Sequence, residues 1–269
     1  MAIITISRGT YSGGKQLAEC VASTLGYRCI AEEILLEAAK AYGIAIEKLK
    51  HAIKSKPGMF ERMSNERLQA LTYVSAVLFQ NSGDENVVYH GHGGHFLLKE
   101  IPHILKIRLL ADMEYRINAA MRDRNLSRDQ AIKYIHRADA IRAKWTRFLF
   151  HTDVLDLSLY DMVINLEHTS LDNACALVCE AAGEIEFQPT PASQKAIKDI
   201  ALTYHIKSKL VGLKPNVEVQ TDDGVVHIMT ADGTRCDVLK IEIENIVQSI
   251  PEVKQLHIES TPAGHLTRA

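Results

Sequence analysis

The stretch AIITISRGTYSGGKQL, residues 2–17, decides how the rest of the chain is read. Residues 2–6 are apolar or β-branched, as in a short buried strand. Gly9, Gly13, Gly14 and Lys15 follow at the spacing G-x-x-x-x-G-K. Glycines so placed let backbone N–H groups curl around phosphate oxygens, and the next helix points its positive end at the same spot. A lysine adds a mobile charge on the outer phosphates. Leu17, Val21 and Leu25 share one helical face, and Gly26 ends it. Strand, glycine loop and helix in this order make a phosphate-binding loop. Its expected binding residues are Gly9, Ser12, Gly13, Gly14, Lys15 and Gln16. At Gln16 an amide stands where a serine or threonine hydroxyl would reach a magnesium ion, and an amide is a poor ligand for it.

Outward from the loop, strands alternate with helices. YRCI (27–30) reads as a second strand and 32–54 as helical with a break at Gly43. Residues 60–80 read as a longer helix, with Leu68, Leu71, Val74, Val77 and Leu78 as its apolar side. NVVYHG (86–91) and ILKIRLL (104–110) are further strands. Asp112, Ser127 and Ser170 sit where helix N-caps belong, and YDMVINL (160–166) is the last strand of the series. Alternation of this kind predicts an α/β fold: a P-loop three-layer parallel sheet with helices on both faces. Ligands of such sheets sit at the carboxyl ends of the strands, where the loop, the HGHGG turn and Asp112 all fall.

FQPTPAS (187–193) reads as a linker. After it come a helix (194–210), a hairpin turning at Asp222-Asp223-Gly224, a second turn at Asp232-Gly233, a helix (237–249) and a strand (253–260). The expected organisation is 1–186 as the P-loop domain, 187–192 as linker, 193–260 as a small αββαβ domain and 261–269 as a tail.

A length of 269 residues with 46% hydrophobic and 24% charged residues suits a chain with a sizeable core. A net charge of −2 gives no field that would favour nucleic acid. No apolar run reaches the roughly 18 residues of a membrane helix, and no leader pattern opens the chain. Five scattered cysteines, with Cys175 and Cys179 on one helix face, point to a reduced cytoplasmic protein.

Between Arg108 and Arg147 there are ten lysines or arginines against five acids. Beside a phosphate loop this reads as a basic lid that clamps phosphates during phosphoryl transfer. The histidines of HGHGGH (90–95) invite a zinc reading, but the turn lacks an obvious fourth ligand and its glycines equally suit approach to a phosphate. No metal ligands are assigned.

With these residues in hand, the first 185 or so resemble the cytidylate kinase-like family of nucleoside monophosphate kinases. ITISRGTYSGGKQLAECVASTLGY resembles that family's opening, and EEIL (32–35) the start of its substrate-binding helices. VVYHGHGGHFLL resembles its Gly-Arg-Gly segment. RLLADMEYRI (108–117), Asp139 and Arg142 resemble its lid, and YDMVINLEHTSLD (160–172) its closing strand and helix. The resemblance implies ATP, with Mg²⁺, as donor and CMP or dCMP as acceptor. By position it makes Lys15, Arg116, Arg137, Asp139 and Arg142 catalytic, and Glu32 and His92 acceptor-binding. Ala31-Glu32-Glu33 stands where the family tends to have Asp-Arg-Glu, and His92 where it has arginine. A neutral imidazole lacks the bidentate fork of a guanidinium.

Residues 193–260 resemble a BON domain through the helix, the DGVVHIM hairpin strand and the IPEVKQLHI ending. Such modules bind ligands or partners, and self-association is equally open for this one. Two activities follow: a nucleoside monophosphate kinase, or a nucleotide-binding regulator that signals through its BON-like module.

Overall fold

The computed structural model describes residues 2–31, 33–54, 65–82, 86–91, 93–98, 101, 103–215, 217–231 and 236–261. In chain order its elements are β1 (Ile3–Arg8), α1 (Gly14–Leu25), β2 (Arg28–Ile30), α2 (Glu33–Ala41), α3 (Ile46–Lys54), α4 (Asn65–Ser82), β3 (Val87–Tyr89) and α5 (Gly94–Leu97). Then come β4 (Ile104–Leu110), α6 (Met113–Arg124), α7 (Arg128–Phe150), β5 (Met162–Asn165), α8 (Leu171–Gly183) and α9 (Pro191–Leu210). The chain closes with β6 (Glu218–Asp222), β7 (Val225–Ala231), α10 (Cys236–Gln248) and β8 (Gln255–Thr261).

By contacts the chain divides into two compact units. The first holds residues 1–34, 54–61 and 84–190. Its five strands are all parallel, in the order β2-β3-β1-β4-β5. After β1 the chain moves towards β2, whereas after β3 it crosses to β4 on the other side of β1. The switch point therefore lies between the carboxyl ends of β1 and β4, where a ligand crevice belongs. Alternate side chains of β1 and β4 (Ile4 and Ile6; Leu105, Ile107 and Leu109) bury against Leu17 and Val21 of α1 and Ala174 and Val178 of α8. The opposite pleat puts Ser7 and Arg108, partners in the β1–β4 register, on the other face.

Local sequence explains the element ends. Asp112 caps α6, Ser127 caps α7 in a full capping box with Gln130, and Ser170 caps α8. β5 is shorter than the apolar run 160–166 because the Tyr160 N–H closes a turn on Leu157 O. Pro191, expected in the linker, opens α9 instead, where its fixed φ suits the first helical turn.

Cys20 of α1 and Cys175 of α8 are joined as a disulfide, with Cα atoms 6.1 Å apart. This corrects the expectation of uniformly reduced cysteines. Cys20 and Cys175 lie 155 residues apart in sequence, so only the packing of α1 on α8 could bring them together. Among the described residues no helix is long and apolar enough to cross a membrane.

The second unit holds residues 35–53, 62–83 and 191–269. Its sheet has the order β6-β7-β8, with β6–β7 antiparallel and β7–β8 parallel. Asp223 (φ 48°) and Gly224 (φ 80°) make the hairpin turn, both in the left-handed region that such two-residue turns require. Ile206, Leu210, Val219, Val226, Ile228, Ile243 and Val247 form the core under α9 and α10. Helix α4 packs along α9, with the Phe79 and Tyr204 rings stacked at 4.7 Å and Tyr42 Oη donating to Ser208 Oγ at 3.0 Å. The expected turn at Asp232-Gly233 and nearly all of the tail lie outside the described residues.

Candidate functional site

The glycine loop joins β1 to α1 at the switch point. Gly13 is left-handed (φ 80°), and an added Cβ there would come within 3.1 Å of Tyr115 Oη and 3.2 Å of Leu166. At Gly9 a Cβ would lie 2.8 Å from Ser12 Oγ and 3.2 Å from the Arg116 guanidinium. At Gly13 the left-handed φ therefore demands glycine by geometry as well as by motif, while at Gly9 the neighbouring side chains close in on the space a Cβ would take. Helix α1 differs from α6, α7 and α8 at its start. No side chain caps it, and its first turn carries no acid. Its first N–H groups and the positive end of its dipole are left for a ligand. Lys15 lies in that first turn with 71% of its side chain exposed, 3.6 Å from Glu19.

A collar of charges from α6 and α7 grips the first half of the loop. Asp139 Oδ1 accepts from Thr10 N at 2.9 Å and Thr10 Oγ1 at 2.7 Å. Its other oxygen is bound by Arg116, whose Nε donates to Thr10 O at 2.8 Å. Arg142 Nη1 reaches Asp139 Oδ1 at 3.0 Å and Arg8 O at 3.2 Å. Burial works to raise the Asp139 pKa, but bonds from Thr10 and Arg116 outweigh it and hold the carboxyl below its ordinary range. Burial, then Arg8 nearby, bring Arg142 down to about 10, so it is still charged at neutral pH. Farther out, Tyr11 (φ 62°) donates to Asp123 at 2.6 Å and accepts from Arg124 at 2.7 Å.

Between the loop, the end of β4 and α7 lies a cleft of about 440 Å³. Arg8, Arg108, Arg116 and Arg142 line it beside Gly9 and Ser12. Among the described residues Asp139 is the one carboxylate on that wall, so against the four arginines they carry about three net positive charges. Behind it, Arg108 Nη1 donates to Ser7 Oγ at 2.9 Å. Ser7 Oγ is 3.2 Å from Tyr160 Oη, which donates to Val154 O at 2.9 Å and lies 3.3 Å from His95 Nε2.

Of the residues expected from sequence, the structure brings Gly9, Ser12, Arg116, Asp139 and Arg142 around one cleft. Gly13, Gly14, Lys15 and Gln16 lie at the start of α1. Arg137 is on an exposed face of α7 and outside the cleft wall. Glu32 and His92 lie outside the described residues. Arg8 joins the site without having been singled out, and Arg108 had been counted only among the basic residues of the lid stretch, not as a site residue. Arg8 directly precedes the loop glycine. Arg108 sits at a polar position of an alternating strand, which reads as solvent-facing. Among the described residues no three His, Cys, Asp or Glu side chains cluster as a metal ion would need.

Residues 3–168 match the model of the cytidylate kinase-like family. The chain belongs to that family. Among curated proteins, a cytidylate kinase of Saccharolobus islandicus is 27% identical over 199 residues, covering 73% of this chain and 99% of its own length. A cytidylate kinase of Pyrococcus horikoshii is 24% identical, covering 68% and 90%. Among solved structures, an uncharacterised protein of Eubacterium ventriosum shares the fold (TM-score 0.53, 18% identity, covering 68% of this chain and 98% of that one). The kinase-like match takes in the loop, the arginine collar and β5, and leaves the β6–β8 module unassigned.

Proposed function

We propose that this chain transfers the terminal phosphoryl group of ATP to a nucleoside monophosphate of the CMP or dCMP type. The observation that carries this reading is the uncapped start of α1 opening beside a cleft lined by four arginines. The residues present fit a polyphosphate: cradling glycines, orphan N–H groups and an excess of positive charge. Lys15 and the loop N–H groups hold the donor's phosphates. Arg116 and Arg142 neutralise charge as it spreads over the transferring group, and Asp139 fixes both guanidiniums against the loop. Arg137 joins them from the exposed face of α7 when the lid closes. Mg²⁺, when bound, would supply charge neutralisation on the phosphates and would be held chiefly by ATP and water, since Gln16 is a poor ligand for it. Glu32 and His92 contact the acceptor. In this reading 1–186 is the kinase-like portion and 193–260 a BON-like module that binds a ligand or partner.

The test is ADP release, coupled to a dehydrogenase readout, over a panel of monophosphates with Mg²⁺. Stimulation by CMP or dCMP, abolished in Lys15→Ala, is the expected result. ATP binding without stimulation by any monophosphate sinks the kinase reading. It would select a second one, a nucleotide-binding regulator. That reading draws support from α4, which lies inside the family match yet packs on α9 of the C-terminal module.

A further inference from the structure

Arg108 is a charged side chain set inside a sheet. It is 5% exposed, and among the described residues neither a carboxylate nor any acceptor for its Nε is within reach. Its guanidinium donates to the Ser7 hydroxyl and lies 5.8 Å from the centre of the Tyr160 ring, both neutral partners. A guanidinium keeps its proton, so an isolated one in the interior is expensive unless a charge comes to meet it. The groups behind it offer none. Ser7 and Tyr160 are neutral hydroxyls. Burial, then the charges of Arg108 and Lys106, push His95 down to about 3, so the imidazole is neutral too. In front lies the cleft with Arg8, Arg116 and Arg142, where the Asp139 carboxylate is already shared between Thr10, Arg116 and Arg142. An anion with several oxygens matches the donors these guanidiniums present.

We propose that Arg108 is a phosphate-binding residue of this site, its guanidinium held by the Ser7–Tyr160 pair so that it meets a substrate phosphate lying against Gly9 and Ser12. The inference rests on the phosphoryl-transfer reading and deepens it, by giving the site a guanidinium that does not depend on residue 92. The ligand chemistry is a phosphate dianion. Two sources carry it: the outer phosphate of the donor and the monophosphate of the acceptor. A guanidinium presents two parallel N–H donors to such a group, which an ammonium cannot do. Position strengthens the case, since the cleft is at the β1–β4 switch point and Arg108 is the register partner of Ser7 across it.

The experiment uses the full chain and its Arg108→Gln and Arg108→Lys variants, with circular dichroism and thermal melting as the check on folding. Calorimetry measures binding of ATP, CMP and orthophosphate to each; coupled ADP release gives KM and kcat separately. Arg108→Gln should weaken at least one phosphate ligand by about tenfold or more, with Arg108→Lys recovering only part of the loss. Loss confined to CMP assigns the residue to the acceptor, and loss confined to ATP to the donor. Unchanged binding of all three ligands in a folded Arg108→Gln protein overturns the proposal while leaving the kinase reading intact. Where Arg108→Gln does not fold, Arg108→Lys binding like wild type overturns it equally. Wild type that binds these ligands but turns none over sinks the kinase reading, and the variants still decide the role of Arg108. Failure of wild type to bind any of the three sinks both.

Discussion

Asp139 is where the chemistry of the loop is concentrated. One carboxylate takes bonds from Thr10, Arg116 and Arg142, so it sets the loop's shape and spaces the arginines. Asp139→Asn keeps the shape and removes the charge. It should lower stability by about 1–3 kcal/mol, less than for a fully buried pair because the side chain is partly exposed, and weaken ATP binding; urea denaturation and calorimetry check both. Acid acts on two histidines as well. Burial holds His90 down to about 4 and His95 to about 3, while an unfolded histidine titrates near 6.5. The unfolded chain therefore takes up more protons below about pH 6.5, and stability falls from there towards pH 4, by up to about 1.4 kcal/mol per pH unit for each histidine. Asp139, depressed by its partners, adds to the loss only at still lower pH. His95→Gln should make the fall over about pH 4–6 clearly shallower in urea titrations; an unchanged slope would refute the assignment. At this scale the glycines and Lys15 were legible because motif and conformation agree. Arg108 was not, because strand alternation separates two faces without saying whether the polar one is covered.

Helix boundaries were the most legible feature of the sequence, since each is a local exchange between a side chain and orphan N–H groups. Asp112, Ser127 and Ser170 cap the helices they were expected to cap. Ser127 matters beyond its own helix, because α7 carries Asp139 and Arg142. Ser127→Ala should cost about 1 kcal/mol in urea unfolding and raise the KM for ATP slightly while leaving kcat near wild type. Helix α1 follows the reverse logic, with glycine rather than a capping side chain at its start. A methyl group at Gly13 meets both a left-handed φ and Tyr115, so Gly13→Ala should cost about 1–3 kcal/mol and abolish detectable ATP binding by calorimetry. What local signals missed were Pro191 and the start of β5, where a proline and a tyrosine were read without their neighbours.

At the scale of the molecule, two pairings depend on residues far apart in sequence and leave no local trace. The Cys20–Cys175 bridge closes a loop of 155 residues, and reducing it should lower the unfolding free energy by roughly 2–5 kcal/mol. Cys20→Ser should match reduced wild type in denaturation, with no further response to reductant; a wild type indifferent to reductant would exclude the bridge. The second pairing is α4 on α9. The parallel sheet could be inferred from alternation, but the chain pattern of α4 identified only one apolar side. In the fold Arg67, Ala70, Tyr73, Val74, Ala76, Val77, Leu78 and Phe79 are all buried, so the helix is enclosed on more than one side. Synthesis then becomes a matter of timing. Helix α4 ends at Ser82 and α9 begins at Pro191, about 110 residues later. At roughly 5–20 residues per second, a ribosome leaves that apolar surface without its partner for about 5–20 s. A chain stopped in that interval, or truncated before residue 191, should be the species that chaperones hold and that aggregates first.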